Sequence, residues 1–192
     1  MRIEIIKGYA SAELCAALSG IALQGIKDGW VGRGTYQGQA GHGKRLTSRF
    51  YGGRHQHQSV ATNAAQSVRA AVGVSLFPHI EGHGRDGIVV SVTYPGGNVY
   101  AHRDSAPLGV ATLRCNIIAQ APDAGGELFV GGEKIGVQQG DLHCYLASEH
   151  EHYVTEVLGN APRILWMFGA YVPKDDWNSG LIKGKNGNLR NP

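Results

Sequence analysis

From Ile88 onward the chain is built from one repeated kind of segment, a short apolar run closed by a turn signal. The runs "IVVSVTY", "VATLRCNIIA", "ELFVGG", "KIGV", "LHCYLA", "HYVTEVL" and "RILWMFGAYV" carry the sequence to residue 172. All are rich in Val, Ile, Leu and aromatic residues, which suit a pleated, half-buried surface better than a helix. Seven such runs at this spacing predict a β-sandwich or barrel. The high glycine content, 29 residues, suits a fold with this many turns.

The preceding segment reads differently. "RIEII" predicts a first strand, and Ser11 is placed to cap a helix through "AELCAALSGIAL", with Leu14, Ala17, Leu18 and Ile21 on one face. Residues 29–58 are glycine-rich, polar and basic, with one strand expected at "SRFYGG". "SVATNAAQSVRAAVG" predicts a second helix ended by Gly73. No linker separates these parts, so a single domain is expected over 1–192. It comprises a helical and loop support region (1–87), a β core (88–172) and a polar tail (173–192). With 42% apolar and 17% charged residues the composition is globular, and a net charge of +3 gives no independent argument for nucleic acid. Cys15, Cys115 and Cys144 are odd in number, far apart and free of any CxxC, which predicts reduced thiols in a cytoplasmic protein. Charges at Glu4, Lys7 and Glu13 argue against a signal peptide, and no run is long enough to span a membrane.

The chemistry concentrates in "NVYAHRDSA". In an extended segment His102 and Asp104 project to one side and Arg103 to the other, so an imidazole and a carboxylate can grip one ion. The third ligand must come from elsewhere, and "SEHEHYVTEVL" offers His150 and His152. His152 opens an alternating strand whose face Val154 and Glu156 would share. Two histidines and one carboxylate leave three coordination positions open, the facial triad of non-haem Fe(II) oxygenases. A structural zinc site would instead close its fourth position with protein. Arg163 opens the next apolar strand, "RILWMFGA". A strand out and an adjacent strand back would place its guanidinium deep in the same cavity, where it needs an anion, best a carboxylate bound bidentately.

"YPGGNVYAHRD", "NIIAQAPDAGGELFV" and "QQGDLHCYLASEHEHYVTEVLGNAPR", in this order, resemble the Fe(II)/2-oxoglutarate-dependent dioxygenase superfamily, in its prolyl 4-hydroxylase-like branch. The resemblance covers about residues 88–172. It implies a mainly β fold, with a double-stranded β-helix (a cupin-like jelly roll) behind N-terminal helices. It selects His152 over His150 as the distal metal ligand beside His102 and Asp104, and matches Arg163 to the residue that binds the distal carboxylate of 2-oxoglutarate. Tyr94 resembles an active-site tyrosine, and Asn116 stands where a second polar contact to 2-oxoglutarate is often found. The implied cofactors are Fe(II), 2-oxoglutarate as co-substrate and O2, with ascorbate as a stimulant. The implied reaction is hydroxylation of a C–H bond of an amino acid or peptidyl residue, with succinate and CO2 as co-products. Related halogenases carry a small residue where this chain has Asp104, so the carboxylate argues for plain oxidation.

Other features read more simply. "GQAGHGKRL" nearly spells a phosphate-binding loop, but Arg45 stands where Ser or Thr would hold magnesium, so it is a chance match. His55 and His57 lie in a polar stretch with no carboxylate or cysteine nearby and read as a solvated loop. His143 reads as a satisfied structural residue, His150 as an exposed neighbour, and Trp166 and Phe168 as core residues on the strand face opposite Arg163. The basic residues Lys44, Arg45, Arg49 and Arg54 keep open an alternative substrate, a nucleic-acid base, alongside small metabolites. A jelly-roll sensor that binds metal without turnover is the non-enzymatic alternative. A small-molecule or peptide substrate is the expected partner.

Overall fold

The computed structural model describes residues 1–33, 44–51 and 87–179. The helix expected at 59–73, the His55/His57 cluster, Arg54, most of the glycine-rich near-motif and the tail beyond residue 179 lie outside the described residues.

The chain opens with β1 (Ile3–Ile6), α1 (Ala12–Lys27), β2 (Gly32–Arg33) and β3 (Arg45–Tyr51). It continues through β4 (Gly87–Thr93), β5 (Val99–His102), β6 (Ala111–Gln120), β7 (Ala124–Gly125), β8 (Leu128–Val130) and β9 (Glu133–Ile135). It closes with β10 (Leu142–Leu146), β11 (His152–Val154), β12 (Val157–Leu158), β13 (Arg163–Val172) and a short helix α2 (Lys174–Ser179). The large sheet has seven strands in the order β1-β10-β6-β13-β4-β3-β2, and the small one has four in the order β5-β11-β8-β9. Every pairing is antiparallel. Both sheets contribute side chains to one cavity, so they face each other as in a jelly roll, the mainly β architecture expected from the sequence. The 1–87 segment supplies β1, β2 and β3 of the large sheet as well as α1, so the sheet begins well before Ile88.

Alternation along the central strands divides the interior in two. Ile88, Val90 and Val92 of β4, Leu113, Cys115 and Ile117 of β6, Leu142 and Cys144 of β10, and Ile164, Trp166 and Phe168 of β13 all join the main core beneath α1. The intervening residues face the other way, into the space between the sheets, where a smaller cluster forms around Val99, Leu128, Val130, Tyr145 and Val154. Trp166 and Phe168 thus lie on the face opposite Arg163, as the alternation requires.

Ser11 caps α1 as its sequence suggests, accepting a hydrogen bond from Leu14 N. The buried face differs from the expected one. Cys15, Leu18, Ser19, Ala22 and Gly25 are buried, whereas Ala17 is exposed and Leu14 and Ile21 only flank the core. Small residues let the helix approach β6 and β13 closely. Trp30 folds back over the bare Cα of Gly25, a site where a Cβ would collide with the indole. Trp166 locks the layer, fully buried with its Nε1 donating to Leu18 O at 3.1 Å. Trp166→Ala is expected to lower the unfolding free energy by about 3–5 kcal/mol, read from urea denaturation.

Candidate active site

His102 ends β5 and His152 begins β11, and the two are direct partners in the antiparallel pairing of those strands. Their rings lie 4.3 Å apart between centroids. Asp104 follows two residues after His102, held by its backbone N–H to Ala147 O at 3.0 Å, while Arg103 between them is exposed. One ligand atom from each of His102, Asp104 and His152 can be chosen so that all lie within 4.8 Å of one another. Each histidine is also oriented by its own strand. The Nδ1 of His102 donates to Tyr100 O at 2.7 Å, and that of His152 to His150 O at 3.1 Å. With Nδ1 engaged in this way, Nε2 is the free ligand atom of each ring, the usual arrangement of metal-binding imidazoles. The donor set of two nitrogens and one carboxylate fits a divalent transition metal with open positions.

Electrostatics keep His152 and Asp104 in the protonation states a metal requires. Burial pushes His152 down to about 4, so the ring is neutral at physiological pH. Burial would raise Asp104, but the adjacent Arg114 guanidinium, with smaller contributions from His152 and His102, holds it below the usual carboxylate range.

The cavity runs from these residues toward Arg163, which is 2% exposed at the start of β13. Its Nε is buried without a hydrogen-bond partner. Burial, and then the charge of Arg45, lower Arg163 to about 10, so it remains a cation at neutral pH. Arg45 of β3 lines the same cavity and donates from Nε to Ser91 Oγ at 2.7 Å. Asn116 of β6 and His143 of β10 are register partners, with 3.3 Å between Asn116 Nδ2 and His143 Nε2. Asn116 Oδ1 and His143 Nδ1 have no partner. Val89, Val99, Leu128, Val154, Leu165 and Met167 make the rest of the wall apolar. A buried cation beside unpartnered polar atoms in such a wall offers the groups that a small anion would need.

The fold thus brings together His102, Asp104, His152, Arg163 and Asn116. Tyr94 is placed elsewhere. It continues the alternation of Val90 and Val92 and packs against the main core on the helix side, and the tyrosine on the cavity is Tyr145. Tyr145 is fully buried, 5.3 Å from the His152 ring, with its hydroxyl pKa raised by burial and then by Asp104. His143 is a cavity residue with an unpartnered nitrogen and not a satisfied structural one. His150 is half-buried and contributes only its carbonyl to His152. Glu156 does not share the His152 face. The strand breaks after Val154, where Thr155 N donates to Glu127 O, and Glu156 is exposed. Arg114 and Arg45 complete the polar lining. Two-residue spacing from Asn116 was the available signal for Arg114, and two-residue spacing from His143 was the signal for Tyr145.

Two buried neutral histidines make stability depend on pH. Burial, and then Arg163, push His143 down to about 3, and His152 lies at about 4. Unfolding returns both to about 6.5, so the unfolded chain binds more protons below that pH and stability is lost on acidification. Asp104 and Asp141, both lowered from 3.8, lose their contribution only at more acid pH. The window from about pH 6.5 to 4.5 therefore reports the histidines. Urea unfolding of the metal-free protein is expected to show a steady fall in stability across this window, with a shallower slope in His143→Leu. Equal slopes in the two proteins would show that His143 is not held neutral.

No protein-family model and no curated protein matches this sequence. Solved structures do match it in fold. A Pseudomonas putida prolyl-4-hydroxylase superposes with a TM-score of 0.61 at 16% identity, covering 88% of this chain and 92% of that one. A viral collagen prolyl hydroxylase from Paramecium bursaria Chlorella virus-1, in complex with 2-oxoglutarate, gives a TM-score of 0.56 at 18% identity, covering 90% and 97%. A Trichoplax adhaerens prolyl hydroxylase, bound to a fragment of the hypoxia-inducible factor oxygen degradation domain, gives 0.58 at 11% identity, covering 92% and 86%. The chain therefore has the jelly-roll fold of these prolyl hydroxylases.

Proposed function

We propose that this protein is an Fe(II)- and 2-oxoglutarate-dependent oxygenase that hydroxylates a C–H bond of an amino acid or peptidyl residue. One observation carries this reading: the His102, Asp104 and His152 ligand atoms converge within 4.8 Å in a cavity that also holds the buried cation Arg163. A three-ligand site and a carboxylate anchor in one cavity suit a metal that must accept both a keto acid and dioxygen. With 2-oxoglutarate and O2, iron at this site would supply the oxidising power for hydroxylation, releasing succinate and CO2.

The protein's own residues bind, orient and exclude water. His102 and His152 present their Nε2 atoms, each Nδ1 being engaged by a backbone carbonyl, and Asp104 presents a carboxylate. Arg163 would take the distal carboxylate of the keto acid in a two-pronged hydrogen bond, with Asn116 and His143 beside it as further polar contacts. The apolar side chains of Val89, Val154, Leu165 and Met167 line the space between and would disfavour water there, which would strengthen these charge contacts. The fold neighbours are prolyl hydroxylases, which makes peptidyl proline the first substrate to try.

The test is anaerobic titration of the Fe(II)-loaded protein with 2-oxoglutarate, following the weak visible charge-transfer band of a chelated keto acid. A band is expected in the wild type, weakened in Arg163→Ala by at least tenfold in apparent affinity, and lost or altered in Asp104→Ala. Tight zinc or nickel binding with no keto-acid band would point instead to a metal-binding sensor. Incubation with proline-containing peptides, read by mass spectrometry for a gain of one oxygen, then addresses the substrate.

A further inference from the structure

Arg114 binds neither metal nor keto acid in the proposed function, yet its side chain makes a short polar contact to the carboxylate of a candidate ligand. On β6 it points into the cavity, level with Tyr145 of β10 and Gly169 of β13. Its Nε donates to Asp104 Oδ2 at 2.7 Å, while Asp104 Oδ1 faces His102 Nε2 at 3.7 Å. Both side chains are shielded, 18% exposed for Arg114 and 13% for Asp104, so the pair is not the solvent-screened kind that contributes little. Gly169 explains how the guanidinium fits. This glycine interrupts an apolar strand, and it is not among the glycines with positive φ, so its backbone does not require glycine. A Cβ there would stand 2.6 Å from Arg114 Nη1. The missing side chain is the notch in which the guanidinium lies.

We infer that Arg114, seated in the notch at Gly169, is a positioning residue that holds Asp104 by Oδ2 and so presents Oδ1 alone to the metal. The inference rests on the metal site proposed above. Its consequence is geometric. Asp104 lies beyond the end of β5, in a segment followed by the exposed residues Pro107, Leu108 and Gly109, so its carboxylate depends on a side-chain anchor. A carboxylate free to turn could bind through both oxygens and occupy a position that the co-substrate or dioxygen needs. With Oδ2 engaged, each of the three residues would supply one atom to a bound metal, leaving room beside it for further ligands.

The experiment is anaerobic titration of the metal-free protein with Co(II), without 2-oxoglutarate, reading affinity and the d–d absorption that reports coordination. Wild type is compared with Arg114→Met, Arg114→Lys and Gly169→Ala, each with a thermal melt. Arg114→Met is expected to weaken Co(II) binding by about 10–100-fold and to change the d–d spectrum. Gly169→Ala leaves Arg114 and every ligand in place and displaces only the tip of a flexible side chain. It is expected to keep a single cooperative melt, no lower than that of Arg114→Met, and still to lose Co(II) affinity with the same spectral change. This variant decides the matter if Arg114→Met does not fold. Arg114→Lys keeps the charge without the fixed fork and is expected to be intermediate. Wild-type affinity and spectrum in both Arg114→Met and Gly169→Ala would overturn the inference. Full restoration by lysine would also overturn it, because charge alone would then suffice. A wild type that binds no Co(II) would overturn the metal site itself, a result distinct from variants that leave metal binding untouched.

Discussion

Antiparallel pairing of β10, β6, β13 and β4 is the constraint on which both the core and the cavity depend. Register aligns His143 with Asn116 and Asn116 with Met167, so residues that share a parity within one strand share a face across all of them. One face is closed by α1 over Trp166 and Leu18. The other looks toward the small sheet and carries Arg114, Asn116, His143, Tyr145 and Arg163. A one-residue slip in β13 would exchange Arg163 with Ile164, burying a cation in the apolar layer, so the main core and the polar cavity enforce the same register.

The cavity is electrostatically demanding. Arg45, Arg114 and Arg163 line it, and Arg45 depresses Arg163. Asp104 balances part of that charge through Arg114. The Arg163 end retains a buried Nε and the unpartnered atoms of Asn116 and His143. Unsatisfied groups of this kind cost stability, a cost that a ligand completing their hydrogen bonds would offset. His143 is tolerated there because burial and the neighbouring arginine keep its ring uncharged.

How far the site could be read from the sequence is clear from individual residues. His102 and Asp104 were legible because two-residue spacing in an extended segment puts both on one side whatever the surrounding fold. Asn116 lies on the cavity, whereas Tyr94 packs against the main core. Only the pairing of β4 with β13 shows that the parity of Tyr94 belongs to Val90 and Val92, on the helix side. His143 resembled an ordinary strand residue because nothing local marks which face of β10 meets solvent, core or ligand. The buried face of α1 was likewise set by tertiary packing. The expected face ran through Leu14, Ala17, Leu18 and Ile21, whereas close docking on the sheet buries Cys15, Leu18, Ser19, Ala22 and Gly25. The break after Val154 depends on contacts of Thr155 and Glu156 with Glu127 and Gly126, which lie almost thirty residues away in sequence.

By itself the sequence determined the strand-rich architecture, the cap of α1, and the residue types able to hold a metal and an anion. These follow from periodicity, local hydrogen bonding and side-chain chemistry, which act within a few residues. Tertiary structure alone decided that His152 meets His102 across β5 and β11, that Tyr145 and not Tyr94 faces the cavity, and that Arg114 reaches Asp104 across Gly169. Each of these depends on which strands become neighbours and in what register. That choice is made by burial summed over the whole sheet, and no local stretch of the sequence encodes it.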